Sequence, residues 1–370
     1  MHESIELRVN RNDLRDTRIE RRALEPLRDG WLRVAIDRFG LTANNVSYAV
    51  AGDQIGYWGF FPADDPWGKV PVWGCGNVVA SNCPGIPVGE RLWGFLPMAN
   101  AVDLQPGRIR DDQFTDMAAH RQALPQVYNN YRRTNAEPEF LRQLEVERCL
   151  FFPLFITSFV LYDYLQDNGF FGARQVVVGS VSSKTGFGLA HLLYNDPEVD
   201  VRVVGITAPA NVPFVESLGC CDQVLTYGNE TALDAAVPTA FVDMSGNRAL
   251  TVALHRHFAD NLVESCMVGA THWESRGGDE GLPGEETPAA ALPGARPKFF
   301  FAPSQITKRN RDWGPGAVML KAGEASAALS KRLLESTTVE WTRDVEGLQA
   351  LWLEMLDNRV HPARGQMVSL

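Results

Sequence analysis

No stretch of the 370-residue chain approaches the ~20 consecutive apolar residues that a membrane span needs. The opening residues, MHESIELRVNRNDLRDTRIERR, lack the apolar core of a secretory signal. A cytoplasmic location with no membrane partner is the expectation. Basic residues are also scarce, 35 Lys and Arg standing against 45 Asp and Glu for a formal net charge of −10. That balance opposes binding to nucleic acid and to anionic lipid, so a small-molecule partner is expected instead. The six cysteines (Cys75, Cys83, Cys149, Cys220, Cys221, Cys266) contain no Cys-x-x-Cys pair. Neither a disulfide framework nor a structural zinc knuckle is suggested by that spacing. What is present is ordinary globular composition, 45% hydrophobic and 22% charged, long enough for two separate cores.

From Leu32 to Phe95 the text is strand-like and broken by Gly, Pro, Asn and Asp, which predicts an all-β segment. Residues 104–149 are more polar and read as a partly helical connection. After Phe151 the pattern alternates: a helix in LFITSFVLYDYLQDNG, a strand in RQVVVGSV, a helix from about Gly186, a strand in VRVVGITA, and so on through QVLTY, TAFVDMSG and NLVESCMVGAT. Alternation of this kind predicts a parallel sheet with crossover helices. Residues 272–297 read as a long surface loop rich in Gly, Pro and Glu, and KFFFAPSQ as a buried strand.

The stretch VVVGSVSSKTGFGLAHLL, residues 176–193, carries the most chemistry. A strand runs into a polar turn and then into a helix whose N-terminus favours anions. Gly186 and Gly188 suit close approach of backbone to phosphate or of helix to strand, and the first glycine of the dinucleotide fingerprint would fall near Ser182 or Ser183. Ser182, Ser183 and Thr185 add hydroxyls and Lys184 adds a cation. The lysine precedes the glycine, so the order G-x-x-x-x-G-K-[ST] of a nucleoside triphosphatase is absent. The residues alone leave two readings open, a phosphate-binding turn and a plain polar turn. About 20 residues further on, GITAPANVPF has no acid to hold a ribose 2′-hydroxyl. Thr207, Ala208 and Asn211 leave space for a 2′-phosphate, so NADP(H) is the expected nucleotide.

Taken in order, VAIDRFGLTANNV, VPVWGCGNVVAS, VGERLWGF, FITSFVLYDYL, VVVGSVSSKTGFG, FVESLGCCDQVLTY and HPARGQMVSL resemble motifs of the medium-chain dehydrogenase/reductase superfamily, in particular its zinc-free quinone-oxidoreductase-like branch. The resemblance implies an α/β chain. A GroES-like β-rich catalytic domain would be made from residues 1–150 and 336–370, and a Rossmann NADP-binding domain from 151–335. It further implies cofactor contacts at Thr157, Phe187, Tyr227, Ser245, Gly246 and Gly269, beside those of the phosphate turn. Thr42, Val72 and Trp73 stand where zinc-dependent relatives have their ligands, and none of the three can serve as the expected ligand. No metal is expected.

The implied activity is hydride transfer from NADPH to an activated C=C bond or a quinone. A zinc-free carbonyl/alcohol redox enzyme and a catalytically inactive NADP(H)-binding sensor are the alternatives. Tyr48, Tyr57 and Asn45 are the candidate catalytic groups of the β-rich domain, a tyrosine hydroxyl being able to hydrogen-bond an oxygen or relay a proton. Core packing and a simple turn are the competing readings for these residues. His272 and Trp273 fall near the implied nicotinamide end. Lys308, Arg309 and Arg311 form either an anion patch or a solvated charged face, and the family implies a homodimer.

Overall fold

The parallel half is built from strands that read as continuous apolar runs, because both of their faces are covered. The structure, a computed structural model, describes residues 3–268 and 292–370. They divide into two units, one comprising Met1–Leu150, Thr338–Val360 and Arg364–Leu370, the other Phe151–Thr337 and His361–Ala363.

In the second unit six parallel strands lie in the order Gln223–Thr226, Arg202–Thr207, Gln175–Gly179, Thr239–Asp243, Leu262–Met267 and Lys298–Phe299. Numbered along the chain this is 3-2-1-4-5-6, the doubly wound order, in which the sheet reverses direction between its first and fourth strands. Every residue of Gln175–Gly179 and of Thr239–Asp243 is buried. Val177, Val204, Ile206 and Phe241 pack with Leu250, Leu254 and Phe258 of the helix Arg248–Phe258. The helix Lys184–Asn195 follows the first strand, and Phe152–Asp167 packs against it.

The first unit holds a nine-stranded sheet and a three-stranded one. Leu32–Leu41 pairs with Pro71–Ser81, which pairs with Arg91–Pro97, and the late strand Arg364–Val368 joins the other edge of Leu32–Leu41. Three expectations are corrected here. The segment Leu32–Phe95 is not all β: Ala43–Val50 is a helix, started where the Asn45 side chain accepts the Thr42 amide at 2.7 Å. Residues 104–149 are not a connection, since Gln113–Asp116 and Asn130–Arg133 extend the large sheet. KFFFAPSQ gives only the two-residue edge strand Lys298–Phe299 with Phe299 37% exposed, because Ala302–Asp312 is already a helix.

Candidate functional site

The carboxyl ends of the first and fourth parallel strands form the switch point, where doubly wound sheets bind their ligands. The turn there is tight. Ser180 takes up left-handed backbone at φ 55°, so the position that favours glycine is Ser180, two or three residues before the Ser182 or Ser183 expected from the fingerprint. Ser183 has extended backbone and caps the helix Lys184–Asn195, its hydroxyl accepting the Gly186 amide at 3.1 Å. A Cβ on Gly186 would lie 2.7 Å from the Ser180 carbonyl oxygen. Glycine is therefore required by the turn itself, and the Gly186 amide is already engaged.

Two groups of residues gather along this edge. Between the first and second strands, Ser182 accepts hydrogen bonds from the Thr207 hydroxyl at 2.9 Å and from the Asn211 amide at 3.3 Å. Ser182 and Thr207 are buried. Above the first and fourth strands, burial and then the Asp243 carboxylate push the Tyr227 pKa up to about 12, with Ser180 and Ser245 acting in the opposite direction. Asp243 Oδ1 accepts the Ser245 amide at 2.7 Å and the Ser245 hydroxyl at 2.5 Å, and Gly246 follows at φ 67°. Lys184 is half-buried, with Nζ 3.5 Å from the Pro362 carbonyl, and burial lowers its pKa to about 8. The second strand ends without a carboxylate, in Thr207, Ala208, Pro209, Ala210 and Asn211.

Several expected cofactor residues are placed otherwise. The Phe187 ring is fully buried against Phe155 and His191, which leaves only its backbone for a nucleotide. Thr157 donates to the Pro153 carbonyl of its own helix at 3.1 Å, and Thr185 meets Ser158 instead, its carbonyl accepting the Ser158 hydroxyl at 2.9 Å. Gly188 serves that helix contact, since a Cβ would lie 2.5 Å from Ser158 Oγ. Ser158 and Ser180 escaped sequence reasoning. A lone small polar residue facing Gly-x-Gly was the signal for the first. Gly269, His272 and Trp273, and most of the loop 272–297, lie outside the described residues. Lys308 and Arg309 make no anion patch: Lys308 bonds Asp167 at 2.6 Å and Arg309 bonds Asp163 at 2.7 Å.

In the first unit Tyr48 and Tyr57 do come together, their ring centres 4.5 Å apart in a cluster with Phe60, Phe61 and Phe95. The Tyr57 hydroxyl is 2.8 Å from that of Tyr128, a residue not anticipated, and Tyr48 accepts the Trp73 indole N–H at 3.2 Å. Burial holds the Tyr48 and Tyr57 phenols well above their ordinary value and pushes Tyr128 up to about 12. All three stay protonated at neutral pH. Asn45 is committed elsewhere: beside Thr42 it donates to the Pro71 carbonyl at 2.9 Å, so it holds a helix start in place. Val72 is buried, and among the described residues no three His, Cys, Asp or Glu side chains are grouped to hold a metal ion.

The fold these units define is that of two-domain α/β oxidoreductases with a Rossmann domain and a GroES-like β-rich domain. The YhdH oxidoreductase from Salmonella enterica in complex with NADP is similar over 99% of this chain and 99% of its own, at 16% identity and a TM-score of 0.51. CurA from Vibrio vulnificus in complex with NADPH matches over 99% and 98%, at 12% identity and a TM-score of 0.62. A CurK enoyl reductase matches over 99% of both chains, at 12% identity and a TM-score of 0.56. The chain shares the fold of these structures. It belongs to the family described as a protein of unknown function, DUF2855, whose model matches residues 39–361. No curated protein matches the chain.

Proposed function

We propose that this chain is an NADP(H)-dependent reductase acting on an activated C=C bond or a quinone. The observation that carries the reading is the edge made by Ser182, Thr207 and Asn211, with Lys184 in the same turn and no carboxylate at the end of the second strand. Ser182 accepts both of its hydrogen bonds and so keeps its own hydroxyl hydrogen to donate, which suits an anionic ligand. The N-terminus of Lys184–Asn195 adds a favourable dipole. Neutral side chains at the second strand's end spare a 2′-phosphate the repulsion that an Asp or Glu would impose. These residues fit NADP(H), and the YhdH and CurA structures, crystallised with NADP and NADPH, support the same nucleotide.

When bound, the cofactor supplies the hydride. The chain's own part is to hold the phosphates on the turn and to present a hydrogen-bond donor to the oxygen that gains charge. Tyr57, kept protonated by burial and bonded to Tyr128, is the candidate donor. A homodimer through the edge strand Lys298–Phe299 belongs to the same reading, the exposed Phe299 being the apolar surface that pairing would cover.

Calorimetry with NADPH and NADH, followed by NADPH consumption across enones, quinones and aldehydes, tests the reading. Tighter binding of NADPH with turnover of an enone or quinone is expected. Turnover of aldehydes alone would favour carbonyl chemistry, and tight binding without any turnover would favour a sensor.

A further inference from the structure

Tyr48 has a fixed hydrogen-bonding role that Tyr57 lacks. In the Tyr57–Tyr128 pair either hydroxyl can be the donor. At Tyr48 the partner is the Trp73 indole N–H, 3.2 Å away, and an indole nitrogen can only donate. The phenol oxygen is therefore the acceptor, and Tyr48 keeps its own hydrogen to donate. Burial raises the Tyr48 pKa far above its ordinary value, while the Trp73 N–H and then Asn44 act the other way. A phenol that receives a hydrogen bond is the stronger donor for it, because linked hydrogen bonds polarise one another.

The indole is itself held by a series of contacts that lie wholly within the first unit. Trp73, on the strand Pro71–Ser81, stands opposite Phe95, and Trp93, on the strand Arg91–Pro97, stands opposite Cys75. Trp73 and Trp93 are therefore diagonal neighbours on one face of the sheet, and their rings stack 4.8 Å apart with planes 22° apart. Phe95 adds a second ring contact to Trp73, at 5.1 Å. The Arg148 guanidinium lies 4.7 Å from the centre of the Trp93 ring. Arg148 is fixed in turn by Glu137, Nη2 donating to Oε1 at 3.1 Å, and both residues are buried. Away from water, a cation over an aromatic face gains strength. Trp73 is only half-buried, so water is an alternative partner for its N–H. Stacked in this way, the indole directs that N–H to Tyr48 instead.

We infer that Trp73 is a positioning residue that fixes the Tyr48 hydroxyl as a second hydrogen-bond donor, beside Tyr57, to the substrate oxygen that gains charge. The inference rests on the reductase reading. Infrared difference spectra of benzalacetone or menadione, whichever the protein reduces faster, bound with the oxidised nucleotide, report hydrogen bonding to the carbonyl without turnover. The wild-type C=O band should lie below that of the ligand in an apolar solvent. Trp73→Phe keeps a ring for the stack and loses the N–H. It should return the band part of the way and lower kcat about tenfold with little change in KM. Tyr48→Phe should do the same, and the double variant should lose little more than either alone. A purely structural Trp73 would lower the melting temperature and leave the band in place. A wild type that reduces neither compound overturns the reductase reading and this inference with it. Turnover by the wild type, with band and kcat unchanged in Trp73→Phe, overturns the positioning role alone. Should Trp73→Phe fail to fold, Tyr48→Phe still decides, since an unchanged band and kcat there leave Trp73 nothing to position.

Discussion

The Thr207 hydroxyl donates to Ser182 Oγ at 2.9 Å, tying the end of the second parallel strand to the turn after the first. Both residues are buried, so removing one partner strands the other. Ser182→Ala should lose about 1–3 kcal/mol in denaturant unfolding, because Thr207 and Asn211 lose their acceptor. Thr207→Val added to it should recover part of that loss, since both ends of the bond are then gone. Calorimetry should show weaker NADPH binding by both variants. Single and double losses that simply add would mean the bond contributes no coupling.

Lys184 provides a test that depends on pH. Burial disfavours its charged form and brings the pKa from 10.5 to about 8, so the ammonium is present below that pH and lost as pH rises through it. A 2′-phosphate is already dianionic above about pH 6 and does not titrate in the same window. Preference for NADPH over NADH should therefore be largest near pH 7 and decline toward pH 9, with the midpoint raised by the bound dianion. Lys184→Ala should weaken NADPH about tenfold, leave NADH nearly unchanged and abolish the pH dependence. Equal loss for the two nucleotides would remove lysine from the 2′-phosphate.

The close approach of two helices can be read from Gly188. A Cβ there would stand 2.5 Å from Ser158 Oγ and 2.8 Å from Phe155 Cδ1. Gly188→Ala should cost about 1–3 kcal/mol by overpacking. Ser158→Gly in the same chain should relieve only part of it, because Phe155 remains. Chemical denaturation of the single and double variants measures both effects.

Much of the parallel half is legible in the sequence because each buried strand is an apolar run closed by turn residues, as VVVG before SVSSKTG and FVD before MSG. The turn's polar residues and Thr207 could be flagged from spacing alone. What spacing does not reveal is backbone sign: the fingerprint's spacing points to Ser182 or Ser183, whereas the left-handed residue is Ser180. Nor does spacing reveal partners distant along the chain. Tyr57 meets Tyr128 only because Asn130–Arg133 joins the sheet edge next to Arg91–Pro97, and that segment is too polar and short to read as strand. Asn45 was legible in principle, since Thr42-x-x-Asn45 has the spacing of a capping box. The family resemblance places the same residue on the β-rich domain's candidate catalytic face, and spacing alone does not choose between the two.

The two phenols, 2.8 Å apart, separate catalysis from packing in the aromatic cluster. One hydroxyl donates to the other, so deleting either leaves its partner without a bond in an apolar surround. Tyr57→Phe and Tyr128→Phe should each lower stability by about 1 kcal/mol, whatever the role of the pair. If Tyr57 is the proton donor, Tyr57→Phe should also lower kcat for an enone about 100-fold with little change in KM. Tyr128→Phe, which loses only the positioning bond, should cost about tenfold. Because burial holds Tyr57 well above the ordinary phenol value and Tyr128 at about 12, neither ionises below pH 9. The pH profile of kcat should accordingly show no loss from this pair between pH 7 and 9. Two variants with equal losses in melting temperature and an unchanged kcat would assign the pair to packing alone.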